Sequence, residues 1–154
     1  MVSDFYVKEE TMLAIGCDHG GFELKKFIIE KLGEENFNDY GTFSDNSCDY
    51  PDIAFPLAKD VSKGICEKGI LICKSGVGVD ICANKVKGIR CALCYSPKIG
   101  EMCKRHEDAN IIALPADYIT KEEALEIIDN WLNTKFEGGR HERRIEKIKK
   151  FEES

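Results

Sequence analysis

The sequence predicts an α/β protein: a parallel sheet of about five strands, covered by helices on both faces. Two observations predict it. Short apolar runs such as Met12 to Gly16, Ile70 to Cys73 and Ile111 to Leu114 are continuous rather than alternating, as strands buried on both faces are. Between these runs stand segments of helical period, and strand and helix alternate along the whole chain, which calls for right-handed crossovers in one three-layer α/β/α sandwich. With 154 residues, 43% hydrophobic and 32% charged, the chain suits a single soluble domain.

Taken in order, residues 1–11 have no clear period and read as an N-terminal extension, a peripheral arm ahead of a domain over 12–154. Met12 to Gly16 is the first strand, and Cys17-Asp-His-Gly-Gly21 is its carboxyl-end loop. Phe22, Leu24, Phe27, Ile28 and Leu32 recur at helical spacing, with Lys25, Lys26 and Lys31 opposite, and Gly33 closes this helix. A weak second strand over Glu35 to Tyr40 and a polar loop over Gly41 to Pro51 lead to a helix from Ile53 to Ile65. Gly69 to Cys73 is the third strand, Val77 to Val86 a short helix, and Ile89 to Tyr95 the fourth strand. Pro97 opens a helix running to Lys104, and Arg105 to Asn110 leads into the fifth strand, Ile111 to Leu114. Thr120 with Glu123 is a capping box for a helix through Leu132, and a last charged helix runs from His141 to about Phe151.

Several function classes are excluded at this level. A net charge of −6 and a pI near 5.2 argue against nucleic-acid binding. No apolar run is long enough to span a bilayer, and the first ten residues are too acidic and polar for a signal peptide, so a cytoplasmic protein with no membrane partner is expected. The eight cysteines show no disulfide framework and are expected as reduced thiols. A third dinucleotide glycine would fall at Ile81, and the arginine of a thiol phosphatase at Val79, so both of those readings fail.

The chemistry is expected in Gly69 to Asp80. Cys73 ends a buried strand, and Ser75-Gly-Val-Gly78 turns into a helix, so backbone N–H groups converge just beyond the thiol and stabilise a developing negative charge. Open parallel sheets bind ligands at the carboxyl ends of their strands. Asp18 and His19 close strand one and are expected at the same edge, with His106 as a third contributor. Arg140 and Arg144, four apart, either fork around a phosphate or form a solvated basic face beside Glu142, Glu146 and Lys147. Cys91, Cys94, Cys103 and His106 have local zinc-ligand spacings, but Cys91 and Cys94 lie three apart in a strand and point to opposite faces, so no metal is expected.

Seven ordered motifs make the chain resemble ribose-5-phosphate isomerase type B, in the group that includes the galactose-6-phosphate isomerase subunits. They are Gly16-Cys-Asp-His-Gly20, Asp49-Tyr-Pro51, Gly69 to Cys73 with Ser75 to Gly78, Ala83-Asn-Lys85, Gly88-Ile-Arg90, His106-x-Asp-Ala-Asn110 and Gly138-Gly-Arg-His-x-x-Arg144. The resemblance implies a Rossmann-like sandwich and a homodimer or homotetramer whose active site is shared between subunits. It implies a phosphorylated sugar as substrate and a proton shuttled between carbons 1 and 2 by Cys73 through an enediolate, with neither metal nor organic cofactor. Ser75 and the backbone of residues 74 to 78, including Gly76, Val77 and Gly78, would hold the enediolate oxygen. His106 would open the sugar ring, Asp18 would handle a sugar hydroxyl, His19, Arg140 and Arg144 would anchor phosphate, and Tyr50 would line the pocket.

Three residues depart from the family pattern: Lys74 for a glycine, Glu107 for an asparagine, and Asp117 for an arginine. Lys74 and Glu107 are still expected to touch substrate. The changes open a second reading, an isomerase of a six-carbon sugar phosphate, beside a non-catalytic flavodoxin-like module and a zinc or thiol-redox protein.

Overall fold

The computed structural model describes residues 12–154; the arm expected over 1–11 lies outside the described residues. Eleven main elements follow one another: β1 Leu13–Cys17, α1 Phe22–Leu32, β2 Phe37–Asp39, α2 Pro51–Ser62, β3 Lys68–Cys73, α3 Val77–Asn84, β4 Cys91–Leu93, α4 Pro97–Glu107, β5 Ile111–Pro115, α5 Lys121–Asn133 and α6 Arg140–Glu152. The five strands form one sheet, all parallel, in the order β2-β1-β3-β5-β4. Two cores follow from the period-two alternation of buried strands. Leu13, Ile15, Ile70, Ile72, Ile112 and Leu114 point toward α1, α4 and α5, while Ala14, Leu71, Cys73 and Ala113 point toward α2 and α3. The result is the expected Rossmann-like three-layer sandwich.

Several boundaries move, each for a local reason. β1 begins one residue later and includes Cys17, whose N–H donates to Gly41 O at 2.6 Å. β2 is three residues long rather than six. α2 starts at Pro51, where the missing N–H costs nothing, and it ends at Ser62 rather than Ile65. β4 is cut to Cys91–Leu93, the three residues that pair with β5, and at its free edge the Asn84 amide donates to Cys91 O and accepts from Cys91 N. Cys91 and Cys94 do pack into opposite cores, as their strand spacing requires.

α4 runs on past Lys104 to Glu107 and closes at Asp108, which holds φ 48° while Lys104 pairs with its carboxylate. Lys25, expected on the solvent side of α1, is instead 1% exposed. Its ammonium reaches Asp39 Oδ1 at 2.7 Å and Thr42 O at 2.5 Å, and the Phe43 ring lies 4.9 Å away. A charge so buried needs such partners, and these fix the start of the loop over residues 42–50.

Candidate active site

The strand order reverses direction between β1 and β3, so the loops after these two strands part and leave a crevice at their carboxyl ends. Cys73 stands there, 6% exposed, and its Sγ accepts the Gly76 N–H at 3.1 Å. Gly76 precedes α3 with φ 75° and ψ −12°, a left-handed turn that aims this amide back at the sulfur. Ser75 Oγ accepts from Val77 N at 3.3 Å, which leaves its hydroxyl proton free to donate. The Tyr50 ring lies against Gly78 so closely that a Cβ there would stand 2.7 Å from its Cζ.

From β1, Asp18 caps a short 3-10 turn through the Gly20 N–H at 2.9 Å and is 8% exposed. His19 Nδ1 accepts from Cys48 N at 3.3 Å, tying the loop over residues 42–50 to this edge. Lys74 lies across Gly20 with an exposed head, and Asp117 N donates to Lys74 O at 3.0 Å, which places the two departing residues side by side. Cys73, Ser75, Gly76, Val77, Gly78, Asp18, His19, Tyr50 and Lys74 therefore form one group. Burial pushes the thiol of Cys17, on the adjoining strand, up to about 12, and that of Cys91 well above its ordinary value.

His106, Glu107, Arg140 and Arg144 do not join that group within one chain. A crossover helix runs against its strands, so the last turn of α4 emerges at the amino edge of the sheet, where Asn110 O accepts Gly69 N at 3.0 Å. Gly69 and Cys73 lie four positions apart along β3, on the order of 13 Å. The expectation that His106 reaches the carboxyl edge beside Cys73 is corrected accordingly. The turn bearing His106 is held firmly: Arg90 donates to Glu107 O at 2.8 Å and to Asp108 O at 3.0 Å, and Asn110 pairs with Arg90 N and Gly88 O.

His141, expected to open the last helix, is the second residue of α6 and is buried, 5% exposed. Its ring stacks on that of His106 with centroids 4.3 Å apart and 12° between the planes. Burial, then the charges of His106 and Arg140, hold its imidazole below the ordinary value near 6.5, with Glu137 opposing. Arg140 and Arg144 are exposed one turn apart on the same helix. His106, Glu137 and His141 bring three donor atoms within 4.8 Å of one another. The rings lie face to face, however, so their in-plane lone pairs run side by side and do not converge on one ion.

The model of the Ribose/Galactose Isomerase family matches residues 13–148, a span that contains both groups. The chain belongs to this family. A curated relative of Mycoplasma genitalium, a probable ribose-5-phosphate isomerase B, is 45% identical over 90% of this chain and 93% of its own. Ribose-5-phosphate isomerase B of Escherichia coli K12 is 41% identical over 92% and 96%. Among solved structures, the Clostridium thermocellum ribose-5-phosphate isomerase B superposes with a TM-score of 0.90 at 42% identity, covering 93% of this chain and 98% of that one. The Mycoplasma genitalium enzyme, solved with bound ribulose-5-phosphate, gives 0.89 at 42%, covering 94% and 98%. As a member of the Ribose/Galactose Isomerase family the chain is a sugar-phosphate isomerase.

Proposed function

We propose that this chain interconverts ribose 5-phosphate and ribulose 5-phosphate with Cys73 as the base. The observation that carries the reading is the Cys73 sulfur at the amino end of α3, receiving the Gly76 N–H at 3.1 Å. A thiolate there takes the proton from carbon 2 of the open-chain aldose, and the electron pair shifts onto the carbonyl oxygen to give the enediolate. Ser75 and the amides of residues 74 to 78 bind that oxygen; the thiol then returns the proton to carbon 1 while the proton on oxygen 2 passes to oxygen 1, leaving the carbonyl at carbon 2 of the ketose. Asp18 holds a sugar hydroxyl, His19 contributes to phosphate binding, and Tyr50 walls the pocket.

Ring opening and the rest of the phosphate grip come from a second copy of the chain in a homodimer or homotetramer. His106 is the acid, and Arg140 and Arg144 bind the phosphate, with Glu107 nearby. Two features support sharing. The two groups stand at opposite edges of one sheet, and the carboxyl-edge group is bordered by exposed apolar side chains, Val77, Ile81 and Tyr50. The family resemblance supports a cytoplasmic enzyme.

The test is complementation. Cys73→Ala and His106→Gln, each expected to lose activity on the order of 10²- to 10⁴-fold alone, are co-expressed and purified together. Random pairing of the two chains yields one intact site in each mixed dimer, about a quarter of native activity. A mixture as inactive as its parents would refute the shared site, and an active Cys73→Ala would refute the base.

The juxtaposition of Lys74 and Asp117 at the pocket edge supports a second reading, a six-carbon sugar phosphate. Catalytic efficiencies on five- and six-carbon aldose phosphates, for the native chain and for Asp117→Arg, separate the two.

A further inference from the structure

α6 packs against the rest of the molecule through His141 and Ile145, one turn apart, so a histidine occupies a position where the helix would otherwise place an apolar side chain. Its Nε2 is buried and has no hydrogen-bond partner. An unpaired buried imidazole nitrogen costs stability that a phenyl ring in the same place would not. The nearest acceptor, Glu137 Oε1, lies 3.9 Å away, about 1 Å beyond a hydrogen bond. Gly138 and Gly139, with φ 75° and 59°, separate that carboxylate from the helix.

We propose that His141 is a positioning residue for His106, its ring the platform on which the proton-carrying imidazole of His106 is stacked and oriented, with Nε2 donating to Glu137 in the assembled site. This rests on the reading of His106 as the ring-opening acid. A protonated ring over the face of an uncharged one is attracted as a cation is to an aromatic face, whereas two protonated rings repel. The 12° interplanar angle and 4.3 Å spacing supply the geometry. The charged groups around the pair are Arg105 and Glu107 beside His106 on α4, Glu137 in the approach to α6, and Arg140 and Arg144 on α6. Burial, His106 and Arg140 keep His141 uncharged near neutrality. A Nε2–H bonded to Glu137 leaves Nδ1 as an acceptor and makes the ring more electron-rich, which strengthens its hold on the His106 cation.

The experiment compares His141→Phe, His141→Ala, Glu137→Gln and His106→Gln in the full chain, recording melting temperature, kcat, KM and the pH profile of kcat. His141→Phe keeps the aromatic platform and gives up only the bond to Glu137, so it melts close to the native protein and retains kcat to within about threefold. His141→Ala loses kcat about tenfold or more with KM little changed, and the alkaline limb of its profile falls about half a pH unit lower, because the proton on the acid is less well held. Glu137→Gln shifts that limb in the same direction by less. Native kcat with an unmoved limb in His141→Ala would overturn the proposal, as would a His141→Phe no better than His141→Ala. An unmoved limb in Glu137→Gln would overturn the Glu137 bond. Native turnover in His106→Gln would sink the acid assignment itself, an outcome distinct from failure at His141.

Discussion

Replacing Gly76 by alanine tests the geometry on which the proposed Cys73 base depends. At φ 75° an alanine is strained by about 1 to 2 kcal/mol, of which a stiffer unfolded chain returns about 0.4 to 1. The added Cβ would also stand 2.5 Å from Leu93 Cδ1 and 3.3 Å from backbone atoms of Leu114 and Pro115. The leucine can turn aside but the strand cannot, so overpacking adds about 1 to 3 kcal/mol. Gly64 is the control: its φ is 79° and a Cβ there would meet nothing within 4 Å. Urea unfolding should place Gly76→Ala about 2 to 4 kcal/mol below the native protein and Gly64→Ala about 1 below it. Any shift that relieves the contact moves the Gly76 amide from the sulfur. Losing one donor to a thiolate costs about 1.5 to 3 kcal/mol, or roughly ten- to a hundredfold in kcat, while Gly64→Ala keeps native turnover. Equal destabilisation of the two variants, or full activity in Gly76→Ala, would show that the close packing around this turn is not what holds the thiol's environment.

Lys25→Met should destabilise by about 2 to 3 kcal/mol in a denaturant melt, less than for a fully buried pair because the Asp39 side chain is 30% exposed. Arg140→Ala and Arg144→Ala should each raise KM for a phosphorylated sugar about ten- to a hundredfold with kcat nearly unchanged; unaltered KM would restore the solvated-face reading. Because His141 is held below its unfolded value near 6.5, the stability gained by keeping it neutral is complete above that pH and is lost as pH falls through its folded value. Between pH 7.5 and 5.5 the native melting temperature should therefore fall further than that of His141→Phe, and parallel curves would contradict this.

β1, β3 and β5 were legible because strands buried on both faces have no polar positions to break their runs, and Cys73 was legible because it ends one of them. Its relation to Gly76 was half visible: a glycine in the turn is written in the sequence, but which amide meets the sulfur depends on a backbone angle. The placement of His106 was not visible, since motif order along the chain does not say which edge of the sheet a helix end reaches. Lys25 was misread, and the burial of His141 missed, for a shared reason. Periodicity assigns a polar residue to solvent, and only tertiary partners, Asp39 and Thr42 O for one and the His106 ring for the other, make its burial tolerable. Arg90 and Asn84 lay inside quoted motifs, yet their hydrogen bonds to backbone groups distant in sequence were beyond any local pattern.

The Asn84 side chain that pairs with Cys91 has a consequence for how copies of the chain meet. A sheet ends in a row of open amides and carbonyls, and such a row recruits any strand that comes alongside, whatever its sequence. At β4 only three residues stand at that margin, and an amide side chain mimicking a neighbouring strand already occupies part of it. Growth of the sheet from chain to chain is discouraged on this side. On this side, contact with another chain would fall to side chains, which discriminate by shape and chemistry, so the geometry that protects the protein from indiscriminate stacking also favours selectivity.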